Sequence, residues 1–544
     1  MESQRKARVG SMIILPLICI AYCLPLFSGL SWAGQDFYFH MSRILSLSNV
    51  WQSPVNFLVF AHHGNMVSQF YPWLTLYPAY VFVHALGNAL LGYRLFIILC
   101  VYLAALSAYT CFNSIQHSEI RSLLFAIMYT FASYHATNIF LRSALGEILC
   151  AIFLPIAFLG LYRILHDDYH RWQTLAIGMS LLIYTHVLSF ALASLIALVL
   201  TVLYLPVTNH RKQRILSLIK AALLTVGLSV AFIGPLMDVL LHQNIAWPTA
   251  PNLYSSAVSA GNFLKGIITN SIGSFGIGLL ITAAALWSIL HYTKLNTGQK
   301  ILTLLSIAMI LVQLSTPISR FISSTPLSHI QFIWRLNAFT TLFVAYVFCA
   351  EVSLPKLSTR QSVASLVLLT VSLLALNMVS YSNLQNGPTN LFIHGKVSTN
   401  AKVMRHIDHY AHSDYRPAGS PSPFIRTESN KLKLPPTSSE LSYKGTFNAD
   451  TANFAVQNYL PRPITFRTNV YSYYNTRTSV NGHLGSTHTR NGLVSVNLPH
   501  GKSKVTITYR YSIWTFAAWT ISLLVALIVA FYRLKISNRL LTNA

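Results

Sequence analysis

The chain has 544 residues, 53% of them hydrophobic and only 9% charged, with a formal net charge of +25. A soluble protein of this length carries about a quarter charged residues, so the composition excludes a water-soluble enzyme and points to a polytopic membrane protein. Nucleic acid is excluded as well, because many Lys and Arg residues cluster beside apolar runs, at "MESQRKAR", "NHRKQR" (209–214), "HYTKLNTGQK" (291–300) and "YRLKISNR" (532–539); that is the positive-inside pattern.

Apolar runs near the ~20 residues that a bilayer demands fall at 12–30, 91–112, 121–138, 147–165, 173–186, 188–205, 216–239, 272–291, 300–316, 336–352, 362–382 and 512–532. The first follows a basic start without a convincing small-x-small cleavage site and reads as a retained anchor. A further run, 71–87, is short and holds Pro72 and Pro78. Counting it as a span would move the later basic loops outside, so it is expected to lie at the outer interface. About twelve spans result, with both termini cytoplasmic. The loops at 31–90, 139–146, 240–271 and 317–335 then face outward. The basic cytoplasmic clusters suit anionic membrane lipids.

Polar residues at the expected outer ends of spans are the candidates for chemistry. "GQDFYFHMSRI" (34–44) holds Asp36, His40 and Arg43. Asp36 suits a general base that deprotonates an acceptor hydroxyl, or a metal ligand with His40 beside it; its plainer role is a helix cap. "FLRSALGEIL" (140–149) brings Arg142 and a second carboxylate, Glu147, which a helix N-terminus would also favour. "HDDYHRW" (166–172) resembles a metal motif but falls on the expected cytoplasmic side and reads as a solvated loop. His186 sits in "YTHVLS", a break between two short spans, and a lone His there is more often a satisfied core residue. "SRFISSTPLSHIQFIWRLNAF" (319–339) carries Arg320, Gln331, Trp334 and Arg335. Arginine's planar fork fits phosphate, whereas interfacial snorkelling and an aromatic belt are the bland readings of Arg and Trp.

The segment 383–511 is rich in Ser, Thr, Asn and Pro. One helical stretch near 398–412 precedes residues that alternate like strands. Val494, Val496 and Leu498, then Val505, Ile507 and Tyr509, flank a turn in "NLPHGK", and Asn481-Gly482 signals another turn. A small extracytoplasmic β-sandwich is expected. The resulting division is a membrane domain over 1–382, the β-rich domain over 383–511, and a last span with a cytoplasmic tail over 512–544. All six cysteines lie in or beside apolar segments, so neither a disulfide framework nor a zinc site is expected.

The order "GQDFYFHMSRI", "LRSALGEILCAIFLPIAFLGLYRI", "YTHVLSF", "IQFIWRLNAF" resembles the GT-C class of membrane glycosyltransferases. Within it the chain is similar to the bacterial polytopic proteins labelled 6-pyruvoyl-tetrahydropterin synthase-related, close to the YfhO-like group. Nothing in the residues suggests pterin chemistry. A more distant likeness is to the catalytic subunit of bacterial oligosaccharyltransferases, on which Asp36 takes the first-loop acidic position and Glu147 the second. The chain departs from those enzymes in having Glu147 alone where they carry D-x-D, and in lacking WWDYG. The resemblance implies a GT-C-like fold in a bacterial plasma (inner) membrane and a polyprenyl-phosphate-linked sugar as donor. It implies a cell-envelope glycan or lipid as acceptor, with Asp36 and Glu147 catalytic. His40, Arg43, Arg142, His186, Arg320, Gln331, Trp334 and Arg335 would contact substrate or its phosphate. A divalent metal, Mg or Mn on Asp36 and Glu147, is the only cofactor it leaves open. A transporter or flippase of lipid-linked sugars, and a non-catalytic scaffold for envelope assembly, are the competing functions.

Overall fold

The computed structural model describes residues 2–28, 32–248, 252–353, 359–386, 393–396, 399–422, 440–485 and 488–542. Stretches 387–392, 397–398, 423–439 and 486–487 of the expected ectodomain lie outside the described residues. Eight described helices are long and apolar enough to cross a membrane: Ala89–Gln116, Leu145–Leu165, Val187–Val207, Arg211–His242, Thr297–Leu314, Ile333–Glu351, Ala364–Ser382 and Ile513–Tyr532. Each coincides with an expected span. The other four expected spans are shorter or broken. The first is a helix, Glu2–Cys23, continued by a 3-10 turn, Leu24–Phe27. The run at 173–186 gives only Gln173–Ile183, and that at 272–291 only Gly278–Leu290. The run at 121–138 divides into Glu119–Thr130, Ser133–Ala136 and a π-helical stretch, Thr137–Arg142. Polar Ser133, His135, Thr137 and Asn138 interrupt its apolar pattern. There the Thr137 hydroxyl donates to the carbonyls of Ser133 (2.9 Å) and Ile272 (2.6 Å).

Two compact units emerge. The first comprises Met1–Phe37, Leu91–Thr225 and Ala250–Ser398. Its helix Leu145–Leu165 lies against Gln173–Ile183 at very short range: a Cβ on Gly160 would meet the Leu175 nitrogen at 2.2 Å. Without a hydrophobic drive between helices in lipid, such close backbone approach is how spans gain contact. The "YTHVLS" break appears as expected, with Tyr184–His186 separating Gln173–Ile183 from Val187–Tyr204.

The second unit comprises Tyr38–Leu90, Val226–Thr249 and Thr399–Ala544. It holds the helix Asn400–His409, a two-stranded pair of Ile245–Ala246 with Arg416–Pro417, and two larger antiparallel sheets. One sheet runs in the order Leu441–Phe447, Thr451–Asn458, Gly501–Tyr509, Thr476–Val480, His483–Gly485; the other in the order His488–Arg490, Leu493–Leu498, Ile464–Tyr471. Phe454, Val456, Phe466, Val496, Val505 and Ile507 share one core, joined by Val55, Phe57 and Phe70 from the 38–90 segment. The alternation expected at 494–498 and 505–509 is present, with all six of those apolar side chains buried. The turn between them, however, does not close a hairpin. Leu493–Leu498 pairs with Ile464–Tyr471, while Gly501–Tyr509 pairs with Thr451–Asn458 and Thr476–Val480, so "PHG" passes the chain from one sheet to the other.

Candidate functional site

Asp36 follows the short strand Trp32–Gly34 and precedes the helix Phe37–Leu45. Its N–H donates to the Arg142 carbonyl at 2.8 Å. That contact depends on Gly34, where a Cβ would stand 2.5 Å from the Leu141 carbonyl oxygen and 2.6 Å from the Arg142 carbonyl carbon. Arg142 ends the π-helical stretch, and Ser143 (φ 53°) turns the chain into the helix Leu145–Leu165, whose first turn carries Glu147. Single π-turns recur at functional sites.

Four charges then alternate. Arg142 Nη2 lies 3.5 Å from Asp36 Oδ2, and its Nη1 donates to Glu147 Oε1 at 2.9 Å and to Asn138 Oδ1 at 3.0 Å. The same Glu147 oxygen accepts from Arg335 Nε at 2.9 Å. The side chains of Arg142, Arg335 and Glu147 are 2%, 7% and 8% exposed, whereas that of Asp36 is 32% exposed. Burial alone would weaken the hold of Arg142 on its proton. The Glu147 and Asp36 carboxylates outweigh that and keep its pKa above the ordinary arginine value. A set of buried ion pairs is costly to desolvate and holds together only when every partner is met; at the ends of membrane spans such residues mark function.

Arg335 is fixed from the other side by Gln331. Its Nη1 donates to Gln331 Oε1 at 2.8 Å and to the Ile330 carbonyl at 2.7 Å. Gln331 has φ 66° and ψ −42°, and the Phe332 N–H closes back on the Ile330 carbonyl at 2.8 Å. This is a γ-turn of the strained hand, a conformation that persists only where its surroundings enforce it. The Phe332 ring lies 5.9 Å from the Arg142 guanidinium carbon and 5.2 Å from that of Arg335. Trp334 is buried, stacked on Phe332 and Phe275 at 4.3 Å each, which removes the aromatic-belt reading. His186 is buried, its Nδ1 2.8 Å from Ser189 Oγ. Ser189 in turn lines a cavity with Glu147, Arg335, Tyr134 and His135.

The remaining candidates stand elsewhere. Arg320 is exposed on the helix Thr316–Ser323, with its guanidinium carbon 5.4 Å from the Tyr254 ring. His40 and Arg43 belong to the second unit and are engaged inside it. Arg43 is buried 3.7 Å from the Tyr71 ring centre, bonded to His40 Nδ1 (3.0 Å) and to the Pro72 carbonyl, and burial lowers its pKa to about 10. "HDDYHRW" forms a local turn in which Asp168 accepts from the His170 N–H at 3.0 Å and pairs with Arg171 at 3.2 Å. Sequence reading passed over His135 and Asn138, although polar "SYHATN" inside an apolar run was the available signal. As for a metal, no three His, Cys, Asp or Glu side chains among the described residues converge as ligands. Glu147 Oε1 is already shared by two guanidinium groups, so these carboxylates do not form a metal cradle.

Residues 68–385 match the family described as "6-pyruvoyl-tetrahydropterin synthase related domain; membrane protein". The chain belongs to this family of membrane proteins. The segment shared with the family carries Arg142, Glu147, His186 and Arg335, whereas Asp36, His40 and Arg43 precede it. No curated protein matches. Among solved structures, the arabinofuranosyltransferase AftD from Mycobacteria is similar at 15% identity and TM-score 0.43, over 70% of this chain and 27% of that one. A mutant of AftD is similar at 14% identity and TM-score 0.42, over 70% and 28%. This chain thus spans little more than a quarter of that protein's length.

Proposed function

We propose that this chain is a membrane glycosyltransferase of the GT-C type, moving a sugar from a polyprenyl-phosphate donor to a cell-envelope glycan or lipid at the outer face of a bacterial plasma membrane. The observation that carries the reading is the graded exposure of the charge network: Asp36 is open to solvent at 32% while Arg142, Glu147 and Arg335 behind it are buried. Arg142, 3.5 Å from Asp36 Oδ2, aims that carboxylate. An acceptor hydroxyl then forms its bond to the anomeric carbon as the bond from that carbon to the phosphate oxygen breaks. Asp36 takes the hydroxyl proton, and the lipid phosphate leaves with the bonding electron pair. The guanidinium groups of Arg142 and Arg335 supply positive potential for the departing phosphate, and preorganised charge of this kind usually contributes more to rate than any other single effect. Arg320, exposed and cationic, is the candidate for first contact with donor phosphate.

A transporter is the second reading. Transporters set their ionisable groups near the bilayer midplane on broken helices. Here Glu147 and Arg335 stand in the first turns of the spans Leu145–Leu165 and Ile333–Glu351, which favours chemistry at a surface.

The test is envelope sugar composition in a strain lacking the gene, complemented at equal expression with wild type or Asp36→Asn. A sugar restored by wild type and lost with Asp36→Asn is the expected result. Equal restoration removes Asp36 as the base and turns attention to transport or scaffolding.

A further inference from the structure

The helix Leu145–Leu165 begins in the charge network and ends beside an aromatic cavity. The two ends lie roughly 28 Å apart along the axis, which puts them at opposite faces of a bilayer core of about 30 Å. The cavity measures about 50 Å³. Its walls include the rings of Phe158, Tyr162, His166, Tyr204 and Tyr346, and its rim holds Asn296, Gly298 and Gln299. The Tyr346 ring meets Phe158 at 5.1 Å and 67°, and Tyr162 at 6.1 Å and 60°, while His166 stacks on Tyr162 at 4.9 Å. Tyr204 lies against Gly298, where a Cβ would touch its ring at 2.8 Å. The rings therefore surround one small space and do not form a single stack.

Ring faces are electron-rich and attract cations, yet no Lys or Arg lines this space. Every cation–ring contact among the described residues falls on other rings. The arginines near this end are turned elsewhere. Arg163 Nη1 donates to Thr174 Oγ1 at 3.0 Å, Arg121 to the Cys349 carbonyl at 3.1 Å, and Arg214 to the Ile164 carbonyl. Behind the rim, the buried Gln299 amide donates to the Glu351 carboxylate at 2.6 Å. The helices Leu145–Leu165, Val187–Tyr204 and Asn337–Glu351 also finish here, and helix C-termini carry partial negative charge. The space suits a cation. A metal ion is not that cation, since no three His, Cys, Asp or Glu side chains converge among the described residues. Outside, Lys294 and Lys300 flank the rim residues 296–299 in sequence. Two lysines there disfavour a free amine and favour one that arrives tethered to an anion.

We propose that this cavity binds the ammonium group of an aminophospholipid headgroup, with the phosphate of the same headgroup outside beside Lys294 and Lys300. Both charges of the zwitterion are then met, the ammonium by rings and helix ends and the phosphate by the lysines. Size agrees, because a cavity of about 50 Å³ admits an aminoethyl group and excludes a sugar. The site stands at the far face from Asp36, so it goes beyond the transferase reading and holds whether or not the chain transfers sugar. A headgroup bound there joins the ends of three helices to the start of Thr297–Leu314, and binding to the folded state alone stabilises that arrangement by mass action.

The test uses the purified full-length chain in phosphatidylglycerol nanodiscs, with lipid binding measured by native mass spectrometry. The probes are phosphatidylethanolamine and its N-acetyl derivative, which keeps the phosphate and tails and loses the ammonium. Wild type should prefer phosphatidylethanolamine by about fivefold or more. Equal affinities for the two lipids overturn the proposal without reliance on any variant. Soluble ethanolamine is the third probe and should not displace the lipid; displacement would overturn the headgroup as occupant in favour of a free amine. Tyr346→Leu removes one wall and should bring phosphatidylethanolamine down to the level of the N-acetyl lipid, whose own binding should stay unchanged and so reports a folded variant. Tyr346→Phe keeps the ring face and should keep the preference. Full preference in Tyr346→Leu, or its complete loss in Tyr346→Phe, would show that the rings do not recognise the ammonium.

Discussion

Glu147 Oε1 accepts from Arg142 and Arg335 at 2.9 Å each, so this one carboxylate carries most of the network's cohesion. Glu147→Gln keeps the shape and removes the carboxylate shared by two buried guanidinium groups, leaving Arg335 with no charged partner among the described residues and Arg142 with Asp36 alone. Breaking a buried pair in this way costs about 3–5 kcal/mol, and a markedly lower unfolding midpoint of the solubilised protein is expected. Glu147→Leu with Arg335→Leu should cost less than the two single changes added together, by about 1–3 kcal/mol of coupling; additive losses would show that the pair does not act as a unit. Asp36 behaves differently. Being part-exposed, it contributes at most ~1 kcal/mol to stability through its pairing, so Asp36→Asn should leave the midpoint nearly unchanged while removing sugar transfer. That separation makes Asp36→Asn a test of chemistry rather than of folding.

At the scale of elements, the site exists because the strand Trp32–Gly34 can pass against the turn at 141–143. Gly34→Ala inserts a Cβ within 2.6 Å of backbone atoms on that turn, and backbone cannot give way as a flexible side chain would. The strand must move, and the Asp36 N–H bond to Arg142 is stretched with it. A misplacement of about 1 Å in a positioned catalytic group costs on the order of a hundredfold in rate. Gly34→Ala should therefore lose most sugar transfer at normal membrane expression, and wild-type transfer would contradict this positioning. None of this was legible in "GQDF", which announces an acid but not the partner it lies against. What could be read was short-range. Asn481-Gly482 gives φ values of 52° and 85° in a two-residue hairpin with Val480 paired to His483, as the turn chemistry demands. The "NLPHGK" turn was equally visible, but strand pairing across it is decided by partners far along the chain, and there local reading failed.

At the scale of the whole chain, hydropathy located the eight long spans because length and apolarity are properties of a window. It overran at 121–138, where polar residues break the helix; of these His135 lines the cavity beside Glu147 and Asn138 accepts from Arg142. His40 and Arg43 follow Asp36 by four and seven residues and are buried within the second unit, bonded to each other. The core of that unit has a pH signature. His63 and His412 have pKa values lowered to about 4 and about 3, in both cases chiefly by burial. His412 faces Arg43 and Asp414 among the aromatic rings of Phe39, Phe60, Tyr410 and Tyr415; His63 faces His62, Asn469 and Tyr471. Both imidazoles are neutral in the folded unit, while unfolded chains take up the proton near the ordinary value of 6.5. The unfolded state therefore binds more protons throughout the window below 6.5, and stability must fall as pH drops through it. The unfolding midpoint of the second unit, followed by hydrogen exchange in Thr451–Asn458 and Gly501–Tyr509, should be level above pH 6.5 and decline steadily towards pH 4. His412→Phe should flatten that decline by removing one of the two protons. A wild-type profile unchanged between pH 6.5 and 4 would mean that these histidines are not held neutral by the packing around them.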